Sequence, residues 1–128
     1  MADPIMADLT TRALLAALDG TAAQQRLAAN NLANLETPGY RAHHASFEAQ
    51  LRRALGAQRR GHAGPQLKDV PPQVQPTAGP AGPDGNTVSI EREMTALAEA
   101  TARYEVITRL LDRRLAMIGV AIGDGRQS

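Results

Sequence analysis

The sequence predicts a mostly all-α chain: two long terminal helices pair as an antiparallel coiled-coil hairpin, joined by an irregular or disordered Gly/Pro-rich connector. Three observations predict it. Of 128 residues, 43% are hydrophobic but only 2% aromatic, so the apolar content is largely Ala and Leu, which fill helix seams better than a globular core. Apolar residues recur at alternating steps of three and four at both ends of the chain. The middle, residues 56–86, holds six Gly and six Pro, a composition that admits no long helix.

The first element is an N-terminal coiled-coil helix within residues 1–36, its regular run starting near Pro4. Its seam reads Met6, Leu9, Ala13, Ala16, Gly20, Ala23, Leu27, Asn30 and Asn34, and Leu14, Leu18, Ala28, Leu32 and Leu35 form an adjoining stripe. Gly20 costs about 1 kcal/mol relative to Ala and admits either a bend or a close backbone approach. Asn30, Asn31 and Asn34 are poor helix formers among alanines and leucines, so they specify something other than local stability. A polar amide on an apolar seam penalises every register in which it lacks a partner, which reads as helix alignment.

Residues 37–55 form the next unit. Thr37 precedes a proline and is pushed out of the helical region, Pro38-Gly39 suits the centre of a type II turn, and Tyr40 is thereby aimed back at a neighbouring surface. A short helix over Ala45–Leu55 would put Phe47, Leu51 and Leu55 on one side. Residues 56–86 follow as the connector, with short extended pieces at Gln66–Val70 and Gln73–Gln75.

The C-terminal coiled-coil helix occupies 87–123, with Ser89 as N-cap, Glu91 and Glu93 in its first turn, Gly123 as its stop, and a frayed tail at 124–128. Its seam reads Ile90, Met94, Leu97, Thr101, Tyr104, Thr108, Leu111, Leu115, Ile118 and Ile122, widened by Ala98, Ile107, Leu110, Met117 and Ala121. Early glutamates and late arginines suit the helix dipole. Each helix thus bears a second apolar stripe that one hairpin leaves uncovered, and the consequence is assembly with other chains.

Charge and composition exclude much. Lys+Arg is 14 against Asp+Glu 13, too balanced to argue for nucleic acid, and Arg52-Arg53 and Arg59-Arg60 lack stacking aromatics nearby. No cysteine is present, so disulfides and thiol catalysis are out. No apolar run spans a bilayer, and the first twenty residues lack the pattern of a cleaved signal peptide. His43, His44 and His62 lack the i, i+4 spacing of a helical metal site. Ser46, Ser89 and Ser128 lack a recognisable His and carboxylate constellation, and no phosphate loop occurs, so neither an enzyme, a cofactor nor a small-molecule substrate is expected.

Asn30-Asn31-Leu32-Ala33-Asn34, followed by Thr37-Pro38-Gly39-Tyr40-Arg41, resembles the N-terminal signature of the bacterial flagellar axial proteins of rod and hook, an Asn-x-Ala-Asn-x-x-Thr-Pro-Gly-Tyr pattern. The stretch from Asn86 to Met94, with Ala102-Arg103-Tyr104 and Leu110-Leu111, is similar to the basal-body rod members. Ser89 stands where an acidic residue is frequent, and residues 56–86 carry no family motif.

The resemblance implies a structural subunit of the proximal rod, the drive shaft crossing the periplasm, exported by the flagellar type III apparatus without a cleaved signal peptide. It implies as partners copies of the chain itself, other rod proteins and basal-body ring or adaptor components. Asn30, Asn31, Asn34, Thr37, Pro38, Gly39 and Tyr40 become the assembly and turn motif. Met94, Leu97, Tyr104, Leu111, Leu115, Ile118 and Ile122 become the assembly seam. Phe47 and Leu51 match the Phe-x-x-x-apolar element associated in this family with recognition by the export gate; the same spacing also serves ordinary i, i+4 packing. A second reading is a soluble helical adaptor or export chaperone that binds one partner helix.

Overall fold

The computed structural model describes residues 9–61, 67 and 70–126, without the side chains of 121, 122 and 124–126. Five elements follow one another: helix α1 (Leu9–Ala33), strand β1 (His43–Ser46), helix α2 (Glu48–Arg59), strand β2 (Gln73–Pro76) and helix α3 (Ile90–Arg126). The expected start of the first helix at Pro4, with Met6, lies outside the described residues.

The α1–α3 contact is the main interface of the molecule. Gln25 Nε2 donates to Thr101 Oγ1 at 3.1 Å, and Asn31 Nδ2 donates to Glu93 Oε2 at 2.9 Å. Leu14 shares a groove with Leu110 and Met117. High numbers on α1 therefore meet low numbers on α3, and the two helices run antiparallel.

Small side chains dominate the interior: Ala28, Ala42, Ala45, Ala54 and Ala100 are buried, with Phe47, Leu67 and Leu111 the larger exceptions. Such a core lets backbones approach closely but buries little apolar area per residue.

Helix α1 stops at Ala33, before Glu36, because Asn34 N–H is shared between Asn30 O and Asn31 O, both at 3.2 Å, and Leu35 N–H turns to Leu32 O. The chain tightens there and enters the turn.

The short helix begins at Glu48 rather than Ala45, because residues 43–46 are a strand. β1 and β2 pair antiparallel, with His43 opposite Pro76 and Ser46 opposite Gln73. His43-His44-Ala45-Ser46 has no β-branched residue, so its extended form is imposed from outside: α1 hydrogen-bonds its backbone through Asn31 and Gln24.

Among its described residues, the connector holds regular structure that its composition does not suggest. Residues 56–59 complete α2, and Gln73–Pro76 form β2. Beyond the strand, Thr77 N–H donates to Ala42 O at 2.8 Å and Arg92 Nη1 donates to Ala78 O at 3.1 Å. Of the expected extended piece at Gln66–Val70, only Leu67 and Val70 are described, and Leu67 is buried.

Helix α3 continues through Gly123 to Arg126. Gly123 does not take the positive φ that would end a helix, and an isolated glycine only weakens one. At the other end, Ser89 Oγ accepts from Arg92 N–H at 3.4 Å.

Candidate assembly site

The turn after α1 is closed by its own residues. Gly39 sits at φ +73°, where the glycine is required, and Tyr40 N–H donates to Thr37 O at 3.2 Å, giving a type II turn. This turn is then held by the loop before α3. Gly39 N–H donates to Asp84 O at 2.8 Å, and Thr87 N–H donates to Tyr40 O at 3.0 Å.

Two asparagines complete the lock. Asn31 is 1% exposed, and its amide makes four hydrogen bonds, the capacity of the group. Nδ2 donates to His43 O at 2.8 Å and Glu93 Oε2 at 2.9 Å; Oδ1 accepts from Tyr40 OH at 3.1 Å and His43 N–H at 3.2 Å. One side chain thereby joins α1, the turn, β1 and α3. Asn86 caps the end of α1: its Nδ2 lies 2.9 Å from Asn34 O, 3.1 Å from Leu35 O and 2.7 Å from Thr37 O, while Oδ1 accepts from Val88 N–H at 2.7 Å. The last carbonyls of a helix have no partner within it, and here the opposite segment of the chain supplies one.

The three helix asparagines therefore differ. Asn31 is central to the lock, Asn30 is exposed, and Asn34 is half-buried, donating to Asn30 O at 2.8 Å and accepting from Thr37 Oγ1 at 3.1 Å. Asn86 and Glu93 are the partners that sequence reasoning did not single out as site residues. The signal was present only as two polar groups beside an apolar pattern, 55 and 62 residues from Asn31.

A second, more exposed cluster fastens α2. Gln24 Nε2 donates to Ala45 O at 3.1 Å and Glu48 Oε1 at 2.9 Å, and Arg103 Nη1 lies 3.4 Å from the same carboxylate oxygen. Burial pushes the Glu48 carboxyl pKa up, but hydrogen bonds from Gln24 and from the Phe47 and Glu48 backbone, with the Arg103 charge, outweigh it and hold the value below the ordinary 4.5. Phe47 is buried against Gly20, where an added Cβ would overlap the ring. Gly20 thus serves a close approach. Leu51 and Leu55 line a groove with Ala17, Thr21 and Ile107.

On α3 the contact with α1 is rotated from the seam read in the sequence. Leu97, Tyr104 and Ile118 are half-buried and Leu111 is buried, and they share the inner face with the buried Glu93, one turn before Leu97, and Ala100. Met94 is 58% exposed and Leu115 41%. The side chain of Ile122 lies outside the described residues. The rotation follows from Glu93 reaching Asn31 and from Ala100 allowing close approach. It turns Ile90, Met94 and Leu115 outward on one flank and Val106, Leu110, Met117 and Val120 outward on the other. Among the described residues no cluster could hold a metal ion, and no helix is long and apolar enough to cross a membrane.

Residues 12–41 match the family model described as flagella basal body rod protein. This segment is α1 from its first turn through the Thr-Pro-Gly-Tyr turn. The chain is 33% identical over 107 residues to a flagellar basal body rod protein FlgB of Cereibacter sphaeroides, covering 77% of this chain and 82% of that protein. It is 28% identical over 113 residues to the protein of the same name from Salmonella typhimurium, with the same coverage, and 33% identical over 104 residues to that of Escherichia coli, covering 70% and 75%.

Proposed function

The chain belongs to the FlgB family of flagellar basal body rod proteins and is a structural rod subunit, not an enzyme, and we propose on that premise that α3 is its main polymerising surface. A basal-body rod protein assembles with other rod components. The finer reading is that copies of this chain and related rod proteins pack helix against helix around it, as a coiled coil, within the periplasmic rod, joined to ring or adaptor components and delivered by the type III export apparatus.

The observation that carries this reading is the distribution of apolar surface. Among the described residues, seven of the eight exposed large hydrophobic side chains lie on α3 and none on α1. Single exposed apolar residues are ordinary, but seven on one helix, on both flanks of its inner contact, are what a subunit holds in reserve for neighbours. The polar lock fixes the hairpin, so that the stripes are presented in one orientation. Phe47 and Leu51 remain the candidate export-gate element, and in this fold Phe47 is buried, so recognition through it would need a chain not yet folded there.

Light scattering and negative-stain imaging of the purified protein, alone and with rod partners, test the proposal. Elongated assemblies that grow with concentration or on adding partners are expected. A discrete complex that never elongates would overturn it and favour a helical adaptor.

A further inference from the structure

The two apolar flanks of α3 differ in charge. One runs Glu105, Thr108, Asp112 and Leu115, the other Val106, Leu110, Arg113, Met117 and Val120, each at alternating steps of three and four. At about 100° per residue the two stripes lie about 140° apart around the helix, on either side of the contact with α1. Glu105 and Asp112 are exposed on the first stripe and Arg113 on the second, and among the described residues none of the three belongs to an ion pair. Arg103, at the edge of the second stripe, is already held by Glu48 and Glu99. Arg109 lies on the ridge between the stripes.

We infer that the first stripe of one copy docks on the second stripe of the next, with their α3 helices parallel and nearly level. The inference rests on α3 as the polymerising surface and adds which face meets which. In that register Asp112 stands within about 1.5 Å of Arg113 along the axis, and Leu115 within about 3 Å of Met117. Thr108 comes between Val106 and Leu110. Its hydroxyl already donates to Tyr104 O at 2.8 Å, so its methyl is the group left to meet them.

Charge selects this contact over a two-fold one. Pairing the first stripe with its own copy brings four carboxylates together with no cation among them, and pairing the second about its centre sets Arg113 on Arg113. The mixed contact joins opposites. Because it uses unlike faces, each copy keeps one stripe open on either side, and the row grows into a ring or a helical array. With the stripes about 140° apart rather than diametrically opposed, that row curves.

The absence of cysteine allows a clean test. A Leu115→Cys chain and a Met117→Cys chain, told apart by a tag, are mixed in equal amounts and treated with a short bismaleimide. Conditions are those in which light scattering reports elongated assemblies of the unsubstituted protein. Links between unlike chains should exceed links between like chains by at least about threefold, because unlike faces meet. Links mainly between like chains, or none from an assembled sample, would overturn the stripe pairing and leave the rod reading standing. Absence of both links and elongated assemblies would overturn the two together. Charge reversal supplies a second measurement. Asp112→Arg and Arg113→Glu should each raise the protein concentration needed for assembly at least about threefold, and an equal mixture should restore it, since every junction of an alternating row again joins opposite charges. No recovery on mixing would overturn the inference.

Discussion

Helices α1 and α3 are both alanine- and leucine-rich, yet their surfaces end differently. α1 is covered on several sides, by α3, β1 and α2, and leaves no large hydrophobic side chain exposed among its described residues. α3 is covered mainly by α1 and leaves seven among its described side chains. Composition alone does not separate the two. What separates them is the short polypeptide folded back after the Thr-Pro-Gly-Tyr turn, which packs its alanines and Phe47 on α1 and leaves α3 open. A coiled-coil pattern states that a face must be buried; it does not state by what.

The largest blow to this asymmetry should come from Asn31→Leu. It removes four hydrogen bonds and leaves the 5%-exposed Glu93 carboxylate, the Tyr40 hydroxyl and the His43 backbone without their partner. An isolated helix would gain from leucine. The hairpin should instead lose about 3 kcal/mol or more, read as a lower denaturant midpoint, because an uncompensated buried charge outweighs the added apolar area. Asn34→Leu, which breaks only contacts local to the helix end, should cost about 1 kcal/mol or less. Equal effects would show that the two amides are interchangeable and that register is set elsewhere.

Gly20→Ala comes next. Alanine favours the helix by about 1 kcal/mol, but its Cβ would overlap the Phe47 ring, and displacing that ring should cost about 1–3 kcal/mol. Hydrogen exchange should report it: amides of β1 and α2 lose protection while those of the α1–α3 contact keep theirs. A more stable variant with β1 unchanged would mean that the ring moves aside freely, and that the cover over α1 is soft.

The smallest effect belongs to Glu48. Its carboxyl is easier to ionise in the folded chain, so its contribution is present above the ordinary pKa of 4.5 and is lost as pH falls through the depressed folded value. About half of that side chain is exposed, so the pair with Arg103 should be worth less than about 1 kcal/mol and should weaken with salt. Glu48→Gln should flatten the acid side of the stability profile slightly, in denaturant titrations from pH 6 to 3. A steeper profile in the variant would reverse the assigned sign.

Much of this was legible in residues 27–42. The helix, its abrupt end and the type II turn follow from propensity and proline sterics, and the cost of an unpaired amide says that an asparagine there must find a partner. Which asparagine was not legible, because Asn31 acquires its role from Glu93 and His43, and no local rule couples positions 62 residues apart. β1 escaped for the same reason: His43–Ser46 has weak strand propensity, and its form comes from hydrogen bonds to α1. On α3, Leu97, Tyr104, Leu111 and Ile118 are buried or half-buried, while Met94 is exposed and its neighbour Glu93 is buried. Hydrophobicity ranks Met94 above Glu93 and takes no account of Asn31. In the fold the glutamate is inside, where it accepts one of the two Asn31 Nδ2 hydrogens, and the methionine that pattern reading would bury is turned outward.

That outward face is the central claim, and a double substitution on it gives the most direct measurement. Val106→Asp with Leu110→Asp, introduced into a cell lacking the native protein, is expected to leave the denaturant midpoint of the purified chain within about 0.5 kcal/mol while basal bodies imaged by electron microscopy lack a completed rod. Completed rods and normal swimming in that strain, from a chain of unchanged stability, would contradict the account.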